Sequence, residues 1–447
     1  MNLCLLHLRS MAAAGVCLCA LAVTPHLRAQ TLREAFESMI THEPELLAAG
    51  WNSIASEHDV WISKAARKPQ LTFNGSAGAV SRTRSLDGVA QGSGDALFSR
   101  QVGFTLRLQL FDFGVSRNLV EAAQFREGAQ KYLEMAMIEA QSVDLADIYL
   151  QILRAKEQIN LAQSNVDQHE ATADKLEAAT QGRSGESDLL LVKGRIGMAK
   201  VSLQTQQLLL EKANYRFERL TGLQPLKLKA PDRAPIPSSL EELNVSQNWE
   251  YLAAKEAWEA SGAEVKAARR SRLPKAFADL GYSRGEDVLG IEGADNETSA
   301  LLKVEWNLID GGAGKHQHQR AVALQNKTEQ LMRAADMERL YLGRNLWSEM
   351  EDAKVRMSAL KRYADRLEET RANYEEQHFQ RGERDLIAIL DLDSETYQAQ
   401  SNLIDTRYTI HSSTYRILGV QGQFVNWLRG ELSKNPVTEV VDPDARE

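Results

Sequence analysis

The residue types that could carry chemistry are few and badly spaced for catalysis. His316 and His318 stand two apart, so on a helix they point away from each other and cannot share a metal ion. Gly311, Gly312 and Gly314 make a turn into a helix, but no phosphate-loop lysine follows them. There is no HExxH and no GxSxG, and Cys4, Cys17 and Cys19 all fall in the first 29 residues. No catalytic residue, metal site or cofactor is expected. What remains is acidic. At about 100° per residue, Arg384, Ala388, Asp391 and Glu395 share one side of a helix, opposite Leu386, Ile389 and Leu390. Asp391 can therefore face water while the leucines pack. Asp393 lies on the apolar side, where a carboxylate needs a structural partner. Such a face can attract cations if copies of it converge; it cannot by itself make or break a covalent bond.

The elements that hold this helix occur twice. Gly185 aligns with Gly382, Asp188 with Asp385, and Arg219-Leu220-Thr221-Gly222-Leu223 with Arg416-Ile417-Leu418-Gly419-Val420, all at an offset of 197. Both copies read as a long helix closed by a C-terminal glycine. Upstream, Leu110-Phe111-Asp112-Phe113-Gly114 matches Leu308-Ile309-Asp310-Gly311-Gly312, and Arg67-Lys68-Pro69 matches Arg272-Leu273-Pro274. Two halves of one plan follow.

The first half opens with a helical pattern from Thr31 to Ala66 that pauses at Pro44 and stops at Pro69. The period then drops to 2. Leu71, Phe73, Gly75, Ala77 and Ala79 alternate with polar residues; after a loop from Arg82 to Ser99, Val102, Phe104, Leu106, Leu108 and Leu110 do the same. The second half repeats this with Ala276, Ala278, Leu280 and Tyr282, a loop from Gly285 to Thr298, then Ala300, Leu302, Val304, Trp306 and Leu308. Alternation alone does not decide between a soluble sheet, the commoner case for any one strand, and a lipid-facing barrel. Four strands cannot close around an aqueous lumen, however, and an open edge in lipid is not tolerated. If these strands lie in a membrane, several chains must share one barrel.

From Val115 to Gln181 no proline occurs, enough helix for about 100 Å at 1.5 Å per residue. Ile148, Ile152, Ala155, Ile159, Ala162, Val166, His169, Ala173 and Leu176 keep heptad spacing, as do Leu346, Met350, Ala353, Met357, Leu360, Ala364, Leu367, Arg371 and Tyr374. Return helices carrying Val192, Ile196, Ala199, Ala213 and Phe217 complete coiled-coil hairpins, whose tips are expected at Gly182, Arg183 and Gly185 and at Arg381 and Gly382.

Residues 1–29 have Arg9, an apolar run from Met11 to Val23 and a Leu27-Arg28-Ala29 end, the pattern of a secretory signal peptide. That run is too short for the roughly 20 residues that span a bilayer. Its removal takes the last cysteine, and takes Arg9 and Arg28 from a formal charge of −8, leaving −10. An acidic chain of this composition gives no reason to expect nucleic acid as a partner. The domain plan is thus 1–29 signal peptide, 30–224 first repeat, 225–237 a connector marked by Pro225, Pro231, Pro235 and Pro237, 238–422 second repeat, and 423–447 a polar tail.

Leader, duplication, strand pairs and paired long helices together resemble the TolC family of outer-membrane efflux channels. His42-Glu43-Pro44-Glu45-Leu46 is similar to the family's early Asn-Pro segment with the Asn lost, and Arg67-Lys68-Pro69 and Arg272-Leu273-Pro274 are similar to its helix-to-strand entries. The resemblance implies an α+β membrane protein, a homotrimer whose 12 strands, four per chain, form one outer-membrane β-barrel in lipid, continued by a periplasmic helical coiled-coil barrel. It implies a passive exit channel of a Gram-negative efflux or type I secretion system, not an enzyme. Its partners would be a periplasmic adaptor, engaged by the hairpin tips, and an inner-membrane pump of ABC or RND type. The family closes its periplasmic end with a ring of acidic residues; Asp391 falls on one such position and Ala388 occupies the other. Asp188 and Arg384 match positions that link neighbouring helices in the closed state. The competing readings are a periplasmic coiled-coil adaptor or scaffold without a barrel, which would need a biotinyl-lipoyl-like β module that is not seen, and a periplasmic enzyme, which lacks a catalytic set.

Overall fold

The computed structural model describes residues 30–81, 84–86, 89–91, 96–179, 186–230, 233–235, 239–288, 292–378 and 385–431. The first half runs α1 (Leu32–His42), α2 (Pro44–Ala65), β1 (Gln70–Val80), β2 (Arg84–Leu86), β3 (Val89–Gln91), β4 (Leu97–Phe111), α3 (Val115–Ala179) and α4 (Glu186–Thr221). The second half runs α5 (Trp249–Arg270), β5 (Lys275–Glu286), β6 (Ala294–Glu305), α6 (Ala313–Glu376) and α7 (Leu386–Val420), with α8 (Phe424–Arg429) behind it. The leader and both hairpin tips, with Gly182, Arg183, Gly185, Arg381, Gly382 and Arg384, lie outside the described residues.

Local chemistry sets the boundaries. Thr31 and Glu34 form a reciprocal capping box at α1, and Pro44 takes the first position of α2, where no N–H is needed. The duplicated Asp motif is the turn from sheet to long helix. Asp112 accepts the N–H groups of Gly114 and Ser116 at 2.9 and 2.6 Å, and Asp310 accepts those of Gly312 and Gly314 at 2.9 and 2.7 Å. Each turn needs two successive residues at positive φ: Phe113 and Gly114 at 56° and 82°, Gly311 and Gly312 at 63° and 88°. Glycine is at ease there and Phe113 is not.

Five features differ from the sequence reading. The loop expected from Arg82 to Ser99 contains the β2–β3 hairpin, and β4 already starts at Leu97; the loop expected from Gly285 to Thr298 is shortened by strands that pair from Glu286 to Ala294. The alternation through Trp306 and Leu308 is not all strand: β6 ends at Glu305, and the Trp306 indole N–H turns to the Arg272 carbonyl at 3.1 Å. Gly222 caps α4 at φ 68°, but its aligned partner Gly419 is inside α7, where a side chain would press on Val143; the left-handed cap there is Gly422. The tail expected from 423 begins instead with α8, which buries Phe424, Val425 and Leu428 against Tyr415 and Leu418.

β1, β4, β5 and β6 form one antiparallel sheet in the order β1-β4-β5-β6. The helices repeat that order: α2 packs on α3, α3 on α5, and α5 on α6. Further along, α4 covers α3, α7 covers α6, and α3 meets α7 across the two halves. The heptad residues fill these seams, with Ile152, Ala162, Val192, Met350 and Ala353 fully buried. The largest core joins α1, α3, α4, α7 and α8 around Phe36, Tyr149, Phe217, Tyr415 and Phe424.

Candidate functional site

The sheet has two unlike faces. Register places Leu71, Leu106, Leu280 and Ala300 in one cross-strand row, and Phe73, Phe104, Tyr282 and Thr298 in another row on the same face. The opposite face carries Thr72, Thr105, Gly281 and Ser299 in one row and Asn74, Gly103, Ser283 and Glu297 in the next. The apolar face is bare: Leu71, Phe73, Phe104, Leu280, Tyr282, Leu302 and Val304 are all exposed. The polar face is the hollow one, with Asn74, Ser76, Gln101, Thr105, Ser283 and Ser299 lining a concavity. In water this arrangement is inside out; in lipid, with water in the hollow, it is satisfied.

Charges on the hollow face are tied together. Arg107 reaches Asp279 through Nε and Nη2, both at 2.9 Å, and Lys303 reaches the same carboxylate at 2.8 Å, so three strands are clipped by one acid. Within the chain β1 and β6 each leave one edge unpaired. The helical layer ends in step with them. α2 exposes Leu47, Trp51, Ile54 and Trp61, and α6 exposes Leu331, Met337, Leu340 and Tyr341.

Between α3 and α7 the contact is largely polar. Asp147 accepts from Arg416 at 2.7 Å, Arg154 donates to Asp405 at 2.7 Å, Arg407 to Glu157 at 3.0 Å and Gln158 to the Ser401 carbonyl at 3.0 Å. Apolar clusters flank this ladder, one around Tyr149 and Tyr415, the other around Leu176, Val192, Leu386 and Leu390.

Asp391 is exposed and Ala388 half-buried on α7, while Leu386, Ile389 and Leu390 are buried. Asp391 is held by α4, accepting from Arg195 Nη2 at 2.7 Å. Glu395, a turn further on, accepts from the Tyr363 hydroxyl of α6. Asp188 is half-buried in the first turn of α4. Asp393 is buried and paired: Gln168 and Arg371 both donate to its Oδ1, at 2.6 Å each. Sequence reasoning found Asp393 but missed Arg195, whose contact spans 196 positions. His169 and Arg371 were visible only as polar intruders at heptad positions.

A sheet with an apolar outer face and a polar hollow, open at both edges and prolonged by a helical layer in the same order, is a segment of a membrane β-barrel continued by a helical tube. Comparison with known proteins agrees. The family model described as outer membrane efflux protein matches residues 36–194. The proteases secretion protein PrtF of Dickeya chrysanthemi is 25% identical over 417 residues, covering 85% of this chain and 86% of that protein. Among solved structures, the outer membrane protein VceC of Vibrio cholerae superposes with a TM-score of 0.78 at 16% identity, covering 88% of this chain and 96% of VceC. The open state of the Neisseria gonorrhoeae MtrE outer membrane channel gives 0.75 at 18% identity, covering 88% and 89%. The resemblance to the TolC family of outer-membrane efflux channels is thereby borne out, and the chain has that family's fold.

Proposed function

We propose that this protein is a passive outer-membrane exit channel of a tripartite efflux or type I secretion system. The observation that carries the reading is the sheet: one bare apolar face, one hollow polar face, and two unpaired edges that a membrane cannot accommodate. Three copies joined edge to edge give a closed barrel of 12 strands, the number the family resemblance implies. The same step brings the exposed apolar face of α2 against that of α6 in the next copy, and covers Met198, Val201, Leu208 and Tyr215 along α4. Below the barrel, α3, α4, α6 and α7 of three copies enclose a periplasmic tunnel. Three Asp391 carboxylates, with Ala388 beside them, ring its narrow end, each tempered by its own Arg195. Asp188 and Arg384 link neighbouring helices there, and the hairpin tips at Gly182 to Gly185 and at Arg381 and Gly382 dock on a periplasmic adaptor coupled to an inner-membrane ABC or RND-type pump. The channel itself does no chemistry.

The test is fractionation with cross-linking in the native host. An SDS-resistant, heat-modifiable oligomer in the outer membrane that cross-links through residues 182–185 to an adaptor supports the reading. A soluble periplasmic monomer, or an assembly without a barrel, sinks it in favour of an adaptor or scaffold.

A further inference from the structure

One buried cluster lies outside everything the channel reading uses. His169 of α3 is 3% exposed and Asp393 of α7 is 2% exposed, although both are ionisable. Asp393 accepts at Oδ1 from Gln168 and Arg371, but its Oδ2 and the facing His169 Nδ1 are 3.9 Å apart and each is without a hydrogen-bond partner. A contact of that length is not a hydrogen bond. Two unsatisfied buried polar atoms cost free energy that an apolar pair at the same positions would not. The cluster also sits where the halves meet, between the polar ladder of α3 and α7 and the apolar cluster next to the tips.

We propose that His169 and Asp393 form an acid-released latch: Gln168 ties α3 to Asp393 of α7 above the hairpin tips around a neutral His169 imidazole, and protonation of His169 loosens that contact.

The direction follows from the surroundings. The charged groups that act on His169 are Asp393 on α7, Arg371 on α6 and Arg195 on α4; Arg371 also pairs with Glu375, and Arg195 with Asp391. Asp393 is already matched by Arg371 at 2.6 Å and Arg195 adds a second positive charge, so a proton on His169 leaves a buried positive charge uncompensated. Burial lowers the His169 pKa most, Asp393 pulls it up, and Arg195 and Arg371 push it down; the outcome is a value below the usual 6.5. A group whose pKa is lowered in the packed arrangement and ordinary in a loosened one favours packing at high pH. It favours loosening as pH falls below about 6.5. His411, also depressed by burial, is on α7 among Arg233 and Arg407 and is the competing source of such an effect.

The test is hydrogen–deuterium exchange on the full-length assembly in detergent, at pH 7.5 and 5.5, corrected for the chemical rate. Its readout is amide protection and does not depend on the channel reading, so failure here and failure of export are separate results. Protection across 166–176 and 386–396 should fall up to about tenfold on acidification, the most that one proton on a group of ordinary pKa near 6.5 can supply. His169→Gln, which keeps a polar side chain that cannot titrate, should abolish the change, and His411→Gln should leave it. Unchanged protection in the wild type, or an equal fall in His169→Gln, overturns the latch. If His169→Gln does not assemble, the wild-type map still decides: a fall confined to these two segments supports the latch, and a uniform fall or none refutes it.

Discussion

Glu139 offers a quantitative handle on how the C-terminal helix is fixed. It is 5% exposed on α3, and its carboxylate accepts the N–H groups of Phe424 and Val425 at 2.6 and 3.3 Å, the free donors that open α8. Burial raises its pKa from 4.5 to about 7, although those two N–H groups pull the other way. The folded form therefore holds a proton between pH 4.5 and 7 that a solvated Glu139 would release. Raised in the packed state, it contributes stability that is complete below pH 4.5 and is lost as pH rises through 7. At 1.36 kcal/mol per pKa unit, the 2.5-unit difference is about 3 kcal/mol per chain, or roughly two orders of magnitude in the docking equilibrium of α8. Exchange of the amides of 427–431, corrected for the chemical rate, should accelerate by up to that factor between pH 4.5 and 7.5. Glu139→Gln should make it independent of pH. Wild-type protection that is flat, or that rises with pH, would refute the reasoning, because the carboxylate would then be stabilised by its two donors more than it is penalised by burial.

The remaining expectations concern the wall and its narrow end. Leu106→Arg, flanked by Leu71 and Leu280 on the apolar face, should cost roughly 2–4 kcal/mol per chain and weaken the SDS-resistant oligomer, while Thr105→Arg on the hollow face should assemble; equal assembly would show the faces to be assigned wrongly. Asp279→Asn leaves Arg107 and Lys303 without their shared acid, so the heat needed to dissociate the barrel in SDS should drop. In bilayer recordings Asp391→Asn should reduce cation selectivity and divalent block. Arg195→Ala should increase both, by freeing the same carboxylate, and Arg384→Ser should raise conductance with selectivity kept. Selectivity indifferent to Asp391 and Arg195 alike would remove the acidic ring from the account.

Much of the architecture was legible because its signals are short-range and repeated. The Asp112 and Asp310 turns are written in five residues each, and the heptad positions from Ile148 to Leu176 are nearly all buried as their spacing requires. Asp393 was legible as a paired acid since its phase on α7 puts it among Leu386, Ile389 and Leu390. What escaped has low contrast or long range. α5 packs through Ala253, Ala260, Ala263 and Ala267, and alanines make a faint stripe. α8 has six residues, too few to show a period, and its burial depends on Tyr415 and Glu139 from distant helices. Gly419 shows the limit of alignment within a repeat: it matches a cap glycine in sequence, yet works as a close-packing glycine against Val143. The Arg195–Asp391 pair joins two solvent-facing helices, and no local pattern announces it.

The central claim is that copies of this sheet close into one water-filled barrel. It is tested most directly by single-channel recording from the purified, heat-modifiable oligomer in a planar bilayer, with its mass measured in the same detergent. The account predicts a mass of three chains and discrete, long-lived conductance steps that Asp391→Asn alters in selectivity. A monomer, or an oligomer that inserts no conducting unit, would contradict it.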